Sequence, residues 1–490
     1  MPGEYTFTAG SKLLEPLGDS LGITVDKVNL VACQLISLPL AIWYYKQLPA
    51  GQASKFTRLI YSPLIGLAML YFCYGSAIKH LLANAGICYV LMKFSPTRHV
   101  HKLVFVAAMG YLSFIHMYRW WILTSYYIDI TGPMMVLVQK TTTIAFSLHD
   151  GKMKKKEELN AIQKKEAIAE VPSILEYVSF VFHFQAVLTG PLCFFSDYMD
   201  FIEGRHVTPK SAAARPKMGN NNDDDVPTPW ATVTEKLMWS LVFLGVSVVI
   251  APQFQPEIML QTGMMSQSFF TWYLTLIFVM MLQRVQYYFV WMFADAICNA
   301  SGLGFAGYDE HGKPKWDLVS SVNPYKVEMA TNFKDTLDAW NCTTMYWLRR
   351  VAYDRAPPQF RTVFTYLLSA WWHGFFPGYY LTFLTGALFT VAGRTARRCL
   401  RHRFVDDSTK KLLYDIVTFM VTKVALAYCT YAFVTMKFEP GWTLFKEMYF
   451  FMHIFALITI FALPTVLPPP KRNQADQEKS PHTSKPIKAE

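Results

Sequence analysis

Residues 362–393 read TVFTYLLSAWWHGFFPGYYLTFLTGALFTVAG, 32 positions without one Asp, Glu, Lys or Arg. As one straight helix at 1.5 Å per residue this stretch would run about 48 Å, well beyond a hydrocarbon core of about 30 Å. A break is therefore expected, and Gly374-Phe375-Phe376-Pro377-Gly378 is the natural place. Pro377 removes a helical donor there, and the two glycines relax the backbone. Arginines bracket the stretch: Arg349, Arg350, Arg355 and Arg361 before it, Arg394, Arg397, Arg398, Arg401 and Arg403 after it. Both clusters prefer the cytosolic face by the positive-inside rule, so the chain between them goes in and comes back, or breaks part-way.

His373 stands immediately before that break. An ionisable side chain at membrane depth is costly unless something uses it. Two readings stand: a neutral imidazole hydrogen-bonded between helices, or a base at the bottom of a cavity. The flanking Trp371 and Trp372, the break itself and Tyr379-Tyr380 beyond it favour a shaped cavity.

The rest of the chain fits a membrane setting. Of its 490 residues 52% are hydrophobic and 17% charged, against about 25% charged in an ordinary soluble domain. The balance of 46 basic against 35 acidic residues gives +11. With so few charges overall, this excess reads as basic loops facing an anionic leaflet, not as nucleic-acid binding. Eight cysteines without a C-x-x-C pair read as small buried hydrophobes, with no zinc site and no disulfide frame. No cleavable signal peptide is apparent in the first 27 residues.

Apolar runs long enough to be candidate spans fall near 28–45, 59–78, 79–94, 103–121, 131–147, 172–195, 235–252, 267–283, 285–300, 362–393, 414–437 and 446–466. Nine to twelve crossings are expected, with 79–94 and 131–147 as re-entrant or lateral segments. The domain reading is a polar segment 1–27, a membrane-embedded unit 28–467 and a polar, disordered tail 468–490. Residues 149–171 read as a solvated or interfacial helix, and 203–234 as a flexible loop. Lys423 and Asp295 are charges inside spans whose partners the sequence does not name.

A second polar point is Asn341 in DTLDAWNCTTMYWLRR, 335–350. At helical spacing Trp340, Thr344 and Trp347 form one ridge, and Asn341, Met345 and Leu348 the next. An amide there either bridges two helices or acts as a donor that polarises a carbonyl or holds a hydroxyl. Asn341-Cys342-Thr343 and Asn299-Ala300-Ser301 are formal glycosylation sequons, read as chance matches in apolar surroundings.

These residues resemble the membrane-bound O-acyltransferases, and within them the lysophospholipid acyltransferases, most of all the branch acting on lysophosphatidylethanolamine and lysophosphatidylserine. The blocks that carry the resemblance are WHGFFPGYYLTFLTG (372–386), AWNCTTMYWLRR (339–350), Trp316-Asp317 after GYDEHGKPK, and YYFVWMFADAICNASGLGFAGYDE (287–310). DITGPMMVLVQKTTTIAFSLHDG (129–151) and PSILEYVSFVFHFQAVLTGP (172–191) are further ones. Departures are Phe445 where the late aromatic motif has its first tyrosine (Tyr449, Phe450 and His453 follow), Asn332-Phe333-Lys334 for Ser-Phe-Lys, and Gln286 for a lysine.

The resemblance implies an all-α, polytopic fold with broken helices around a central cavity, in the endoplasmic reticulum membrane. It places the family's histidine on His373 and its asparagine on Asn341. It also implies acyl-CoA as co-substrate, a lysophospholipid as acceptor and no cofactor. The chemistry agrees with the residues. A neutral histidine, with an ordinary pKa of about 6.5, suits deprotonation of an alcohol, and an amide donor suits a developing oxyanion. Trp316, Asp317, Trp340, Trp347, Trp372 and Tyr379 are candidates for substrate contact or for packing, and Arg349, Arg350, Arg355, Arg361 and the 394–403 cluster for the CoA phosphates or for topology alone. Cys342 is the rival nucleophile, disfavoured because a buried thiol is inert. Acyltransferases for sterol, diacylglycerol or protein acceptors, and a membrane transporter, are the competing readings.

Overall fold

A computed structural model describes residues 10–49, 52–122, 128–207 and 227–470. Positions 1–9, most of the 203–234 loop and the tail beyond 470 lie outside the described residues. The described chain is helical, with one isolated bridge between Tyr308 and Pro314 and no strand. Its principal helices are α1 (Val25–Gln47), α2 (Lys55–Tyr74), α3 (Ile78–Phe94), α4 (Val100–Ile122), α5 (Thr131–Met153), α6 (Trp230–Val249) and α7 (Phe269–Ala300). They continue with α8 (Phe333–Ala339), α9 (Cys342–Leu348), α10 (Arg361–His373), α11 (Pro377–Leu400), α12 (Ser408–Thr435), α13 (Phe438–Glu447) and α14 (Phe451–Phe461).

Among the described residues six helical segments are long and apolar enough to cross a membrane, or seven if α13–α14, bent by 73°, is one span. That is fewer than the nine to twelve expected: 59–78 and 79–94 count as the one segment Lys55–Phe94, 362–393 breaks into α10 and α11, 446–466 falls on the bent α13–α14 pair, and three further runs drop out for local reasons. The runs 267–283 and 285–300 are one helix, α7, because no Gly or Pro separates them. The run 172–195 yields only the nine-residue helix Ile174–Phe182, opened by a Ser173/Glu176 capping box and followed by irregular chain through Gly190-Pro191. The run 131–147 is helical, as α5, but carries Gln139, Lys140 and Thr141–Thr143.

Those polar residues are all buried, because α5 is surrounded by protein along most of its length. Each finds a partner inside the fold: Lys140 Nζ donates to the carbonyls of Phe180 and Val181, both at 3.1 Å, and Thr142 and Thr143 hydroxyls turn back to backbone carbonyls of α5. Burial at this depth is tolerable only with such satisfaction.

The decisive stretch breaks where its glycines and proline put the break. α10 ends at His373, Gly374 takes φ +129°, and Pro377 opens α11 at a position whose N–H needs no helical partner. The two helices fold back on each other. Arg394 Nη1 donates to Thr362 Oγ1 (2.9 Å) at the open end, the hydroxyls of Tyr366 and Thr390 meet at 2.5 Å, and His373 lies against Tyr379 and Phe383 near the tip. The chain therefore goes in and comes back, and both arginine clusters share one end. A 13-residue α10 reaches about 20 Å, too short to cross a ~30 Å hydrocarbon core. The descent of α11 is locked by close backbone approach: a Cβ on Gly378 would sit 2.1 Å from the Ala432 carbonyl oxygen of α12.

Candidate active site

At the hairpin tip the His373 ring is enclosed by four aromatic side chains. Its centroid lies 4.7 Å from Trp372, 5.2 Å from Phe383, 5.0 Å from Phe433 and 5.8 Å from Tyr379. Neither ring nitrogen is taken by a hydrogen bond among the described residues. The contrast is His453, whose Nδ1 pairs with the Tyr428 hydroxyl (2.9 Å) and whose Nε2 pairs with Thr385 Oγ1 (3.1 Å). Of the two readings of His373, the interhelical hydrogen-bonding one finds no partner here.

Trp372 and Trp347 connect this tip to the segment that carries Asn341. Their rings lie 5.7 Å apart at 47°. Both indoles are tied to α5: Trp372 Nε1 donates to the Met135 carbonyl (3.1 Å) and Trp347 Nε1 to Thr142 Oγ1 (2.9 Å). One turn before Trp347, Thr344 Oγ1 accepts from Gln139 Nε2 (2.8 Å). The polar stripe of α5 is thus the bracket that holds α9 against α10.

The helical ridges expected across 335–350 do not form, because the helix stops at Ala339 and restarts at Cys342. Trp340 turns onto α7, against Tyr287, Tyr288 and Trp291. Asn341 caps α9 with φ +48° and ψ +49°, its carbonyl accepting from Met345 N–H (3.0 Å), and its side-chain amide makes no hydrogen bond among the described residues. Asparagine is among the few non-glycine residues that enter this left-handed region readily. The conformation is a reason for an asparagine here beyond the bridging and donor roles. Burial pushes the adjacent Cys342 thiol up to about 11, which keeps it protonated and unreactive near neutral pH.

A cavity of about 1520 Å³ opens between α6, α7 and residues 315–346. One part is apolar, with Trp239, Val242 and Val246 from α6 and Met281 and Val285 from α7. Another is polar, with Lys236, Asp295, Trp316, Asp317 and Ser320, and the wall reaches Ala339, Cys342 and Thr343 on both sides of Asn341. The charges that lacked partners in the sequence are paired around it. Lys236 Nζ binds Asp295 (2.6 Å), the Trp316 carbonyl (2.9 Å) and Ser320 (3.2 Å). Lys423 of α12 binds Glu328 (3.2 Å), which also receives a two-point contact from Arg284 (2.8 Å each) and the Tyr288 hydroxyl (2.6 Å). Burial opposes the Glu328 charge, but Arg284, Tyr288 and Lys423 hold its carboxyl down at about 2. Glu328 and Arg284 were not singled out from sequence, although a lone arginine inside an apolar run was the available signal.

Among the arginines considered for CoA, Arg349 and Arg350 differ. Arg349 is exposed and lies 3.5 Å from Asp354. Arg350 is 3% exposed, donates to Ser147 Oγ (2.9 Å) and lies 3.8 Å from Asp150, itself bound by Arg355 (2.6 Å). Trp316 is buried against Phe305, and Asp317 is exposed beside Lys315. Asn299 of the second sequon is fully buried, its amide donating to the Trp316 carbonyl (3.2 Å).

The fold and the hairpin site define a class. The sequence profile of the membrane-bound O-acyltransferase family matches residues 115–430, which span α5, the cavity, both break points and most of α12. The chain belongs to that family, and it is an acyltransferase. Similar curated proteins include membrane-bound glycerophospholipid O-acyltransferase 1 of Mus musculus, 39% identical over 98% of this chain and 97% of the relative. Membrane-bound glycerophospholipid O-acyltransferase 2 of Rattus norvegicus is 39% identical over 96% of this chain and 90% of its own length. Lysophospholipid acyltransferase 6 of Drosophila melanogaster is 40% identical over 93% of this chain, which spans 63% of that relative's length.

Proposed function

We propose that the protein transfers the acyl group of an acyl-CoA to the free hydroxyl of a lysophospholipid, with His373 as general base. The observation that carries this reading is the His373 imidazole, held at the tip of an inward hairpin with neither nitrogen hydrogen-bonded among the described residues. A base needs a free lone pair, which a histidine bonded at both nitrogens, such as His453, does not have. The names of the relatives support the acceptor class, since they act on glycerophospholipids or lysophospholipids.

In the proposed step the lysophospholipid oxygen attacks the thioester carbon. A C–O bond forms and the C–S bond breaks, while the hydroxyl proton passes to His373 and then to the departing CoA thiolate. Asn341 orients the acceptor or donates to the carbonyl oxygen as charge develops on it. A ternary complex supplies the proximity, so no acyl-enzyme is required. The cavity beside Asn341 offers apolar wall for an acyl chain and polar groups for a head group. The arginines at the open end of the hairpin, Arg361, Arg394, Arg397 and Arg398, are the cationic groups proposed for the CoA phosphates. Residence in the endoplasmic reticulum membrane belongs to the same proposal and is checked by cell fractionation.

The test offers purified protein oleoyl-CoA with lysophosphatidylethanolamine, lysophosphatidylserine, lysophosphatidylcholine, cholesterol and diacylglycerol in parallel. Conversion of a lysophospholipid, lost in His373→Ala, is the expected result. Conversion of a neutral lipid alone would overturn the acceptor assignment, and full activity of a folded His373→Ala would overturn the base.

A further inference from the structure

We infer that His116 of α4 is a positioning residue: it holds the His373 imidazole in register by capping the carbonyl of Trp372. This rests on His373 being the base. The argument begins with the end of α10. The last carbonyls of a helix lack intrahelical donors and need others. Gly374 N–H serves the Ala370 and Trp371 carbonyls at 3.1 and 3.2 Å. The next one, Trp372 O, is met instead by His116 Nε2 at 3.0 Å, across 256 positions of sequence. A carbonyl oxygen only accepts, so the His116 proton sits on Nε2.

The contact belongs to a brace. On the same face of α4, three residues before His116, Ser113 Oγ accepts from Trp371 Nε1 (2.7 Å), and four residues after it Trp120 stacks on Phe376 (6.3 Å). The His116 ring also lies against Phe375, and a Cβ on Gly374 would come within 3.1 Å of its Nδ1. His116 is buried, so the contact is dry. The His373 ring, by contrast, meets aromatic rings and no hydrogen-bond partner among the described residues, and such contacts limit its plane but not its depth along the helix axis. Depth is set by the backbone at Trp372, and His116 is the side chain hydrogen-bonded to that backbone. Loss of about 1 Å in the placement of a reacting group is enough for a hundredfold loss of rate.

The experiment uses the full chain, purified in detergent, with oleoyl-CoA and lysophosphatidylethanolamine, and compares wild type, His116→Ala, His116→Gln, His373→Ala and the double variant His116→Ala/His373→Ala. The expected result is a fall in kcat of at least about tenfold for His116→Ala, with both KM values within about twofold and an intact thermal transition. His116→Gln, which keeps an N–H donor, recovers kcat to within about threefold of wild type. In the His373→Ala background the second substitution changes the residual rate by less than about twofold, because His116 acts through His373. If His116→Ala does not fold, His116→Gln against His116→Met carries the same comparison of donor with no donor. A wild-type kcat in His116→Ala, or equal losses with and without a donor and KM rising in step, overturns the inference. Activity surviving in His373→Ala overturns instead the reading of His373 as base, whereas an inactive His373→Ala beside an active His116→Ala removes only the positioning role.

Discussion

Asn341 has a backbone reason and a chemical reason to be asparagine, and three substitutions separate them. At φ +48° and ψ +49° an alanine would carry a left-handed penalty of about 1–2 kcal/mol, which glycine does not, and which aspartate carries less. In a chain of 490 residues such a penalty moves a thermal midpoint by no more than a few degrees. Loss of a donor aimed at a developing oxyanion costs much more in rate, about 10²–10³ in kcat, or 2.7–4 kcal/mol. If the amide acts on the reacting groups, Asn341→Gly, Asn341→Asp and Asn341→Ala should all lose at least a hundredfold in kcat, with Asn341→Gly as heat-stable as wild type. The assay is steady-state acyl transfer from oleoyl-CoA to lysophosphatidylethanolamine, alongside thermal unfolding in the same detergent. Near wild-type kcat in Asn341→Gly and Asn341→Asp, with a loss confined to Asn341→Ala, would refute the donor role and leave Asn341 as a left-handed cap.

Three further outcomes follow from the same contacts. Gly374→Ala places a Cβ at φ +129° and 3.1 Å from His116 Nδ1, so it should lower kcat more than it lowers the thermal midpoint; unchanged kinetics would show that the tip tolerates movement. Glu328→Ala leaves Arg284 and Lys423 without their carboxylate and should cost about 3–5 kcal/mol, as breaking a buried ion pair does, read as a lower midpoint in thermal or denaturant unfolding. Glu166, buried and beside Asp197, has its carboxyl pushed up to about 7, burial being the larger cause. A raised folded pKa means stability that is full below the ordinary carboxyl range and lost as pH rises through 7, so Glu166→Gln should flatten the fall in stability between pH 5 and 8; an unchanged pH profile would contradict the burial argument.

Some features were legible because they are local. The break in 362–393 was placed correctly since Gly374, Pro377 and Gly378 act on their own backbone. Length was the weaker half of that argument: α7 is also 32 residues long and runs unbroken, because nothing in it removes a donor or relaxes the chain. The two apolar runs inside it were separable only by the charge of Arg284, and a charge does not end a helix that can bring it a partner. The ridges expected around Asn341 failed for a related reason. Helical spacing was carried across Trp340 and Asn341, where the backbone instead turns left-handed and Cys342 N–H bonds to the Ser321 carbonyl (2.7 Å).

By itself the sequence determined a membrane-embedded, helical chain whose longest uncharged stretch folds back at His373, because hydropathy, Gly and Pro act over a few residues. Only the tertiary structure decided which groups face one another: Glu328 between Arg284 and Lys423, Lys236 on Asp295, the Trp347–Trp372 pair strapped to α5, and His116 under the Trp372 carbonyl. The hydrogen-bonded partners are 44 to 256 positions apart along the chain. Each polar group inside the fold must be satisfied by whatever packing brings within about 3 Å, and no periodicity in the chain encodes that meeting.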